Sequence, residues 1–123
     1  MNSAVLKSAI GKLVKDSDNG VLATDIIDTR GGMPIVGYNS NPKASALFNR
    51  IFDQLIKSLA GSGFDTELDY YYLKMKNNQA VIVGNLSNPK YRFGMLVDLN
   101  QVQLGMMLNV LLPEYLDNIK DAL

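Results

Sequence analysis

Asp25, Asp28 and Asp98 are the carboxylates whose placement in Val- and Ile-rich runs could aim them into a site, and acid-base work or metal binding is the chemistry they could do. They stand apart in the chain, and none has an identifiable base or metal partner. The chain has no His and no Cys, so the usual general base near neutral pH, the thiol nucleophile and the common transition-metal ligands are all missing. The cluster Asp16, Ser17, Asp18, Asn19, Gly20 invites a calcium-loop reading. Its spacing is one residue short, and Ile27 stands where the closing bidentate Glu is needed, so a helix-ending turn is expected. Neither Gly31-Gly32 nor Gly61-Ser62-Gly63 makes a phosphate loop: the first pair opens into a strand pattern, and the second has no following Lys-Ser or Lys-Thr. A protein that is not an enzyme and needs no cofactor or metal is expected.

Composition narrows the classes further. With 123 residues and 47% hydrophobic content, the chain can bury one core as a single domain over 1–123 and is not disordered. Twelve basic residues balance twelve acidic ones, so no bulk field draws nucleic acid. No apolar run approaches the ~20 residues that cross a bilayer, which excludes direct membrane insertion by a helix. The opening MNSAVLKSAIGKLVKDSD lacks the basic-then-apolar order of a signal peptide, so a cytoplasmic protein is expected. Partners are then expected to be proteins.

The elements that would position any site follow from periodicity. Leu6, Ile10 and Leu13 recur at helical spacing behind Ser3, a candidate N-cap, which predicts a helix over about 3–15. Gly20 to Asp28 and Met33 to Tyr38 predict two strands joined through Gly31-Gly32 as a hairpin. From Thr66 the period becomes two, with Leu68, Tyr70 and Tyr72 on one face and Tyr71, Leu73 and Met75 on the other, predicting a long strand to Lys76. Gln79 to Leu86 and Tyr91 to Leu99 complete an antiparallel meander. From Gln101, the positions of Leu104, Leu108, Leu111, Leu112, Tyr115 and Ile119 predict an amphipathic helix bent or split at Pro113. The fold class is α+β: a single five-stranded antiparallel sheet with helices, in the order αββαβββα.

Around these elements one helix is unusual. In KASALFNRIFDQLIKSL, Lys43 to Leu59, the apolar residues Leu47, Ile51, Ala44, Leu55, Phe48, Leu59, Phe52 and Ile56 fan across about half the helix circumference. That is wider than one sheet face covers, so either the Leu47/Ile51 margin or the Phe52/Ile56 margin calls for another cover, more chain or a second subunit.

GVLATDIIDTRGGMPI, the long amphipathic helix, the aromatic strand and RFGMLVDLNQVQLGMML leading into the last helix together resemble the Roadblock family, named for dynein light chains and including bacterial and archaeal small-GTPase regulators. The resemblance spans nearly the whole chain on a diffuse signature with no catalytic string. It implies a profilin-like or longin-like sheet, homodimerisation through the central helix and third strand, and regulation or scaffolding of a small Ras-like GTPase. A long edge strand carrying Tyr70, Tyr71 and Tyr72 is itself a liability unless paired, and pairing with its own copy resolves it. The expected dimer interface is Leu47, Phe48, Ile51, Phe52, Leu55, Ile56, Leu68, Tyr70, Tyr71 and Tyr72. The alternative is a small-ligand-binding sensor domain of similar shape, with Met33, Met95, Met106 and Met107 lining an adaptable pocket.

Overall fold

A computed structural model describes residues 1–64 and 67–123. Helix α1 (Ser3–Asp16) is followed by strands β1 (Val21–Asp28) and β2 (Pro34–Tyr38) and helix α2 (Pro42–Gly61). Strands β3 (Tyr70–Lys74), β4 (Gln79–Asn85) and β5 (Tyr91–Asp98) come next. The chain ends in a short helix α3 (Leu104–Met106), a π-helical turn (Met107–Leu111), helix α4 (Leu112–Ile119) and a 3₁₀ turn (Lys120–Ala122). The strands form one antiparallel sheet in the order β2-β1-β5-β4-β3, the predicted class and succession.

Local chemistry accounts for the boundaries. Asn2, not Ser3, caps α1, its Oδ1 accepting from the Val5 amide at 3.2 Å. The Asp16–Gly20 cluster is the expected helix-ending turn, with Asp18 and Asn19 at left-handed backbone angles. In the β1–β2 hairpin, Gly32 alone has positive φ, +75°, and a Cβ there would meet the Ala46 backbone at 2.7 Å, so glycine is required for angle and for space. Asn41 caps α2 and Pro42 opens its first turn. At the other end the expected bend becomes a change of helix type: the Leu112 amide reaches five residues back to the Met107 carbonyl, and Pro113 follows directly. A wider turn gives the proline ring, which lacks an amide donor and crowds the carbonyl four residues back, room to continue the helix.

Two corrections concern the first strand of the meander. Its regular part is Tyr70–Lys74, ending before the expected Lys76; the expected start, Thr66, lies outside the described residues, and Glu67 to Asp69 run outside regular structure. With alternation lost there, Leu68 packs beside Phe52 and Val81, while Tyr70 packs against the core on the opposite face.

The sheet faces are covered unequally. On one side α1 and the C-terminal helices set Leu6, Ile10, Tyr115 and Ile119 against Ile26, Ile82, Phe93 and Val97, forming the main core. On the other side lies α2 alone, and the smaller cluster there is built on Phe52, Tyr71, Val81 and Val83. No helix among the described residues is long and apolar enough to cross a membrane.

Candidate functional site

The stripe of helix α2 most deeply buried against the sheet is partly polar. Its buried residues are Ser45, Asn49 and Phe52, at successive spacings of four and three that make one stripe. A buried side chain with polar atoms must find partners, and these do. Ser45 Oγ donates to Asp25 Oδ2 at 2.9 Å, and Ser40 Oγ contacts Oδ1 of the same carboxylate. Asn49 Nδ2 donates to the Thr29 carbonyl at 3.0 Å, while Asn49 Oδ1 accepts from Arg92 at 2.8 Å. Arg92, buried on β5, also donates to Asn85 Oδ1 at 3.2 Å, pairs with Asp53 at 2.9 Å, and lies over the Phe52 ring with its guanidinium carbon 4.2 Å from the centroid. The planar guanidinium can serve all these partners at once, which a lysine ammonium cannot.

That docking decides which margin of α2 is left over. Phe52 is fully buried and Ile56 half-buried, so their margin faces the chain's own sheet. Leu47 is 44% exposed, and Ile51, Leu55 and Phe48 are only half-buried. Leu47 is therefore the exposed residue of the arc, with Ile51 beside it half-buried against the Phe52 cluster. Tyr71 stands beneath the neighbouring flank: its hydroxyl donates to the Phe48 carbonyl at 3.0 Å and its ring sits 6.0 Å from that of Phe52, tilted by 42°. Burial pushes the Tyr71 phenol up to about 12, against a smaller opposing pull from the positive charge of Arg92.

Strand β3 is a sheet edge, as expected. The Asn85 amide donates to the Asp69 carbonyl at 3.0 Å and the Met75 amide to the Gln79 carbonyl at 2.8 Å. Alternation in an antiparallel pair then turns the amides of Tyr71 and Leu73 inward to β4, and those of Tyr70, Tyr72 and Lys74 outward. Seven of the expected interface residues, Phe48, Ile51, Phe52, Leu55, Ile56, Leu68 and Tyr71, gather in the α2 layer. Leu47 stands outside it on the exposed margin, and Tyr70 and Tyr72 belong to the other face of the sheet, Tyr72 being 47% exposed. Ser45, Asn49 and Arg92 were not foreseen, although a polar pair four residues apart before Phe52, and an arginine within the apolar run of β5, were signals for them.

The three strand carboxylates have separate local roles. Asp25 holds Ser40 and Ser45, Asp28 binds the Arg30 amide and guanidinium, which hold its carboxyl below the usual range, and Asp98 accepts from the Asn100 amide at 2.9 Å. The proposed methionine pocket is not formed: Met33 and Met106 are 62% and 49% exposed, whereas Met95 and Met107 are buried in the main core. A different cleft, of about 340 Å³, opens between the first half of α2 and strands β1, β4 and β5.

No protein-family model and no curated protein sequence matches the chain. Solved structures do. MglB of Myxococcus xanthus superposes with a TM-score of 0.79 over 97% of this chain and 87% of that one, at 11% identity. A Roadblock/LC7 domain from Streptomyces avermitilis gives 0.72 over 94% and 95%, at 10% identity. The fold is that of the Roadblock family. The gliding protein MglB of Thermus thermophilus shares this Roadblock architecture at a TM-score of 0.69 over 94% of this chain and 89% of that one, with 6% identity. Profilin-like structures share the same α+β arrangement.

Proposed function

We propose that this Roadblock-type chain is a homodimeric interaction module of the cytoplasm that binds a small Ras-like GTPase and regulates or scaffolds it, with no catalytic residues of its own. The observation that carries the reading is the exposed Leu47 on the outer flank of α2 beside an open β3 edge, on a fold shared with MglB. Hydrogen bonds between two copies of β3 would use the outward groups of Tyr70, Tyr72 and Lys74, and would bring two α2 helices together over the extended sheet. Phe52, held by Arg92, and Tyr71, held by the Phe48 carbonyl, keep that surface rigid before association.

The GTPase half of the reading is tested with purified Ras-like GTPases from the same organism, each loaded with GDP or with a non-hydrolysable GTP analogue. A saturable complex with a Kd of about 10 µM or tighter is expected for at least one of them, weakened in a monomeric variant. Absence of binding to every such GTPase in both nucleotide states would contradict it.

A further inference from the structure

The cleft beside α2 has an apolar body and an acidic end. Ala23 and Leu96 from the sheet and Ala44 and Phe48 from the helix line its body; Asp25 and Asn39 stand at its polar end. Asp25 is 7% exposed, and its carboxylate accepts only from the Ser40 and Ser45 hydroxyls, with no cationic side chain paired to it among the described residues. Asn39 spends its amide nitrogen on the Leu22 carbonyl at 2.9 Å, so its remaining capacity includes an acceptor oxygen. Neutral hydroxyls satisfy hydrogen bonding without compensating charge, and a carboxylate largely withdrawn from water binds an entering cation more strongly than an exposed one does. The volume, about 340 Å³, lies within the range of small-molecule sites.

We propose that this cleft binds a small organic amine: an ammonium group paired with Asp25, carried on an apolar body that packs against Ala44, Phe48 and Leu96. This goes beyond the interaction reading and does not depend on it. A larger apolar group deepens contact in the body of the cleft, while a neutral or anionic head gains nothing from the carboxylate.

The full chain, labelled with ¹⁵N, is titrated separately with 2-phenylethylamine, 2-phenylethanol and 3-phenylpropanoate at one pH and ionic strength, following amide chemical shifts. The amine should give saturable shifts centred on Ala23, Ala44 and Ser45; the alcohol should bind at least about tenfold more weakly, as loss of one charged hydrogen bond predicts, and the acid should leave these signals unmoved. Asp25→Asn should abolish the preference for amine over alcohol. Should that variant fail to fold, Ala44→Leu, which adds bulk to the body of the cleft and keeps Asp25, should abolish amine binding. Equal affinity for amine and alcohol, amine shifts insensitive to Ala44→Leu, or no amine binding at tens of millimolar overturns the proposal. So does amine binding seen only in a Tyr72→Pro variant that light scattering shows to be monomeric, which would assign the cleft to a second copy of the chain.

Discussion

The guanidinium of Arg92 lies 4.2 Å from the centre of the Phe52 ring, and that stacking joins the middle strand of the sheet to the middle of α2. The same arginine bonds Asn49 and Asp53 one turn apart on the helix, so one β5 side chain sets both the height and the rotation of α2. That rotation is what leaves Leu47 exposed.

Replacing Arg92 by Met keeps much of the stem but leaves Asn49 Oδ1 without its donor and Asp53 without its partner. Urea denaturation should show a loss of about 2–4 kcal/mol, and Arg92→Lys should recover only part of it, since an ammonium cannot reproduce the stacked fork. A change below about 0.5 kcal/mol for Arg92→Met would mean that α2 is docked by its apolar contacts alone.

Phe52 and Leu47 sit five residues apart on α2 and should respond oppositely to truncation. Phe52→Ala empties a fully buried site and should cost about 3–5 kcal/mol of folding stability. Leu47→Asp, on the exposed margin, should leave folding of the single chain nearly unchanged yet weaken self-association by about 2 kcal/mol or more, because it buries a carboxylate against an apolar surface. Sedimentation equilibrium with parallel circular dichroism separates the two effects; Leu47→Asp with unaltered association would remove that margin from the interface.

Much of the architecture was legible because helix and strand periods are properties of neighbouring residues. The antiparallel meander, the hairpin over Gly32 and the width of the α2 arc all followed from local pattern. The rotation of α2 did not, because it is set by contacts across the chain: Asp25 with Ser45, and Arg92 with Asn49. A fan of eight apolar residues suggests a buried face, yet the stripe that faces the sheet includes a serine and an asparagine. Leu68 was misplaced for a related reason, since period-two counting carried it through residues that leave the strand.

Gly37 stands opposite Asp25 in the β1–β2 ladder, and a Cβ there would run into the Asp25 carboxylate and the Ser40 hydroxyl. Gly37→Ala should therefore displace the Asp25–Ser40 contact and lower the thermal midpoint, by about 1–3 kcal/mol of stability. Gly11→Ala is the control: its site is open space within α1, so the same change should stabilise or leave stability unaltered. Equal responses at the two glycines would contradict the packing around Asp25.

Alkali should loosen the α2 layer. The folded state holds the Tyr71 phenol at about 12 by burial, above its ordinary value of 10.0, so it favours the protonated form. The stabilisation is complete below pH 10 and is lost as pH rises through the folded value, amounting to about 2 kcal/mol once partial access of water to the hydroxyl is allowed for. Burial shifts the Tyr115 phenol in the same direction, so the loss in the wild type is shared. Phenolate absorbance should show Tyr71 and Tyr115 ionising above pH 10, together with unfolding, and Tyr71→Phe should remove one of these two late steps. Tyr71 and Tyr115 ionising near pH 10 with the fold intact would contradict the burial described.

The most direct measurement is the solution mass of the wild type beside Tyr71→Pro and Tyr72→Pro, by light scattering with circular dichroism as the check on folding. The Tyr71 amide is directed inward to β4 and that of Tyr72 outward from the sheet. The account predicts a wild type of twice the 13.5 kDa chain mass, a Tyr71→Pro variant unfolded or destabilised by about 3 kcal/mol, and a Tyr72→Pro variant that is folded at the single-chain mass. A folded wild type at 13.5 kDa across micromolar concentrations, or a Tyr72→Pro variant that remains a dimer, would contradict a β3-edge homodimer.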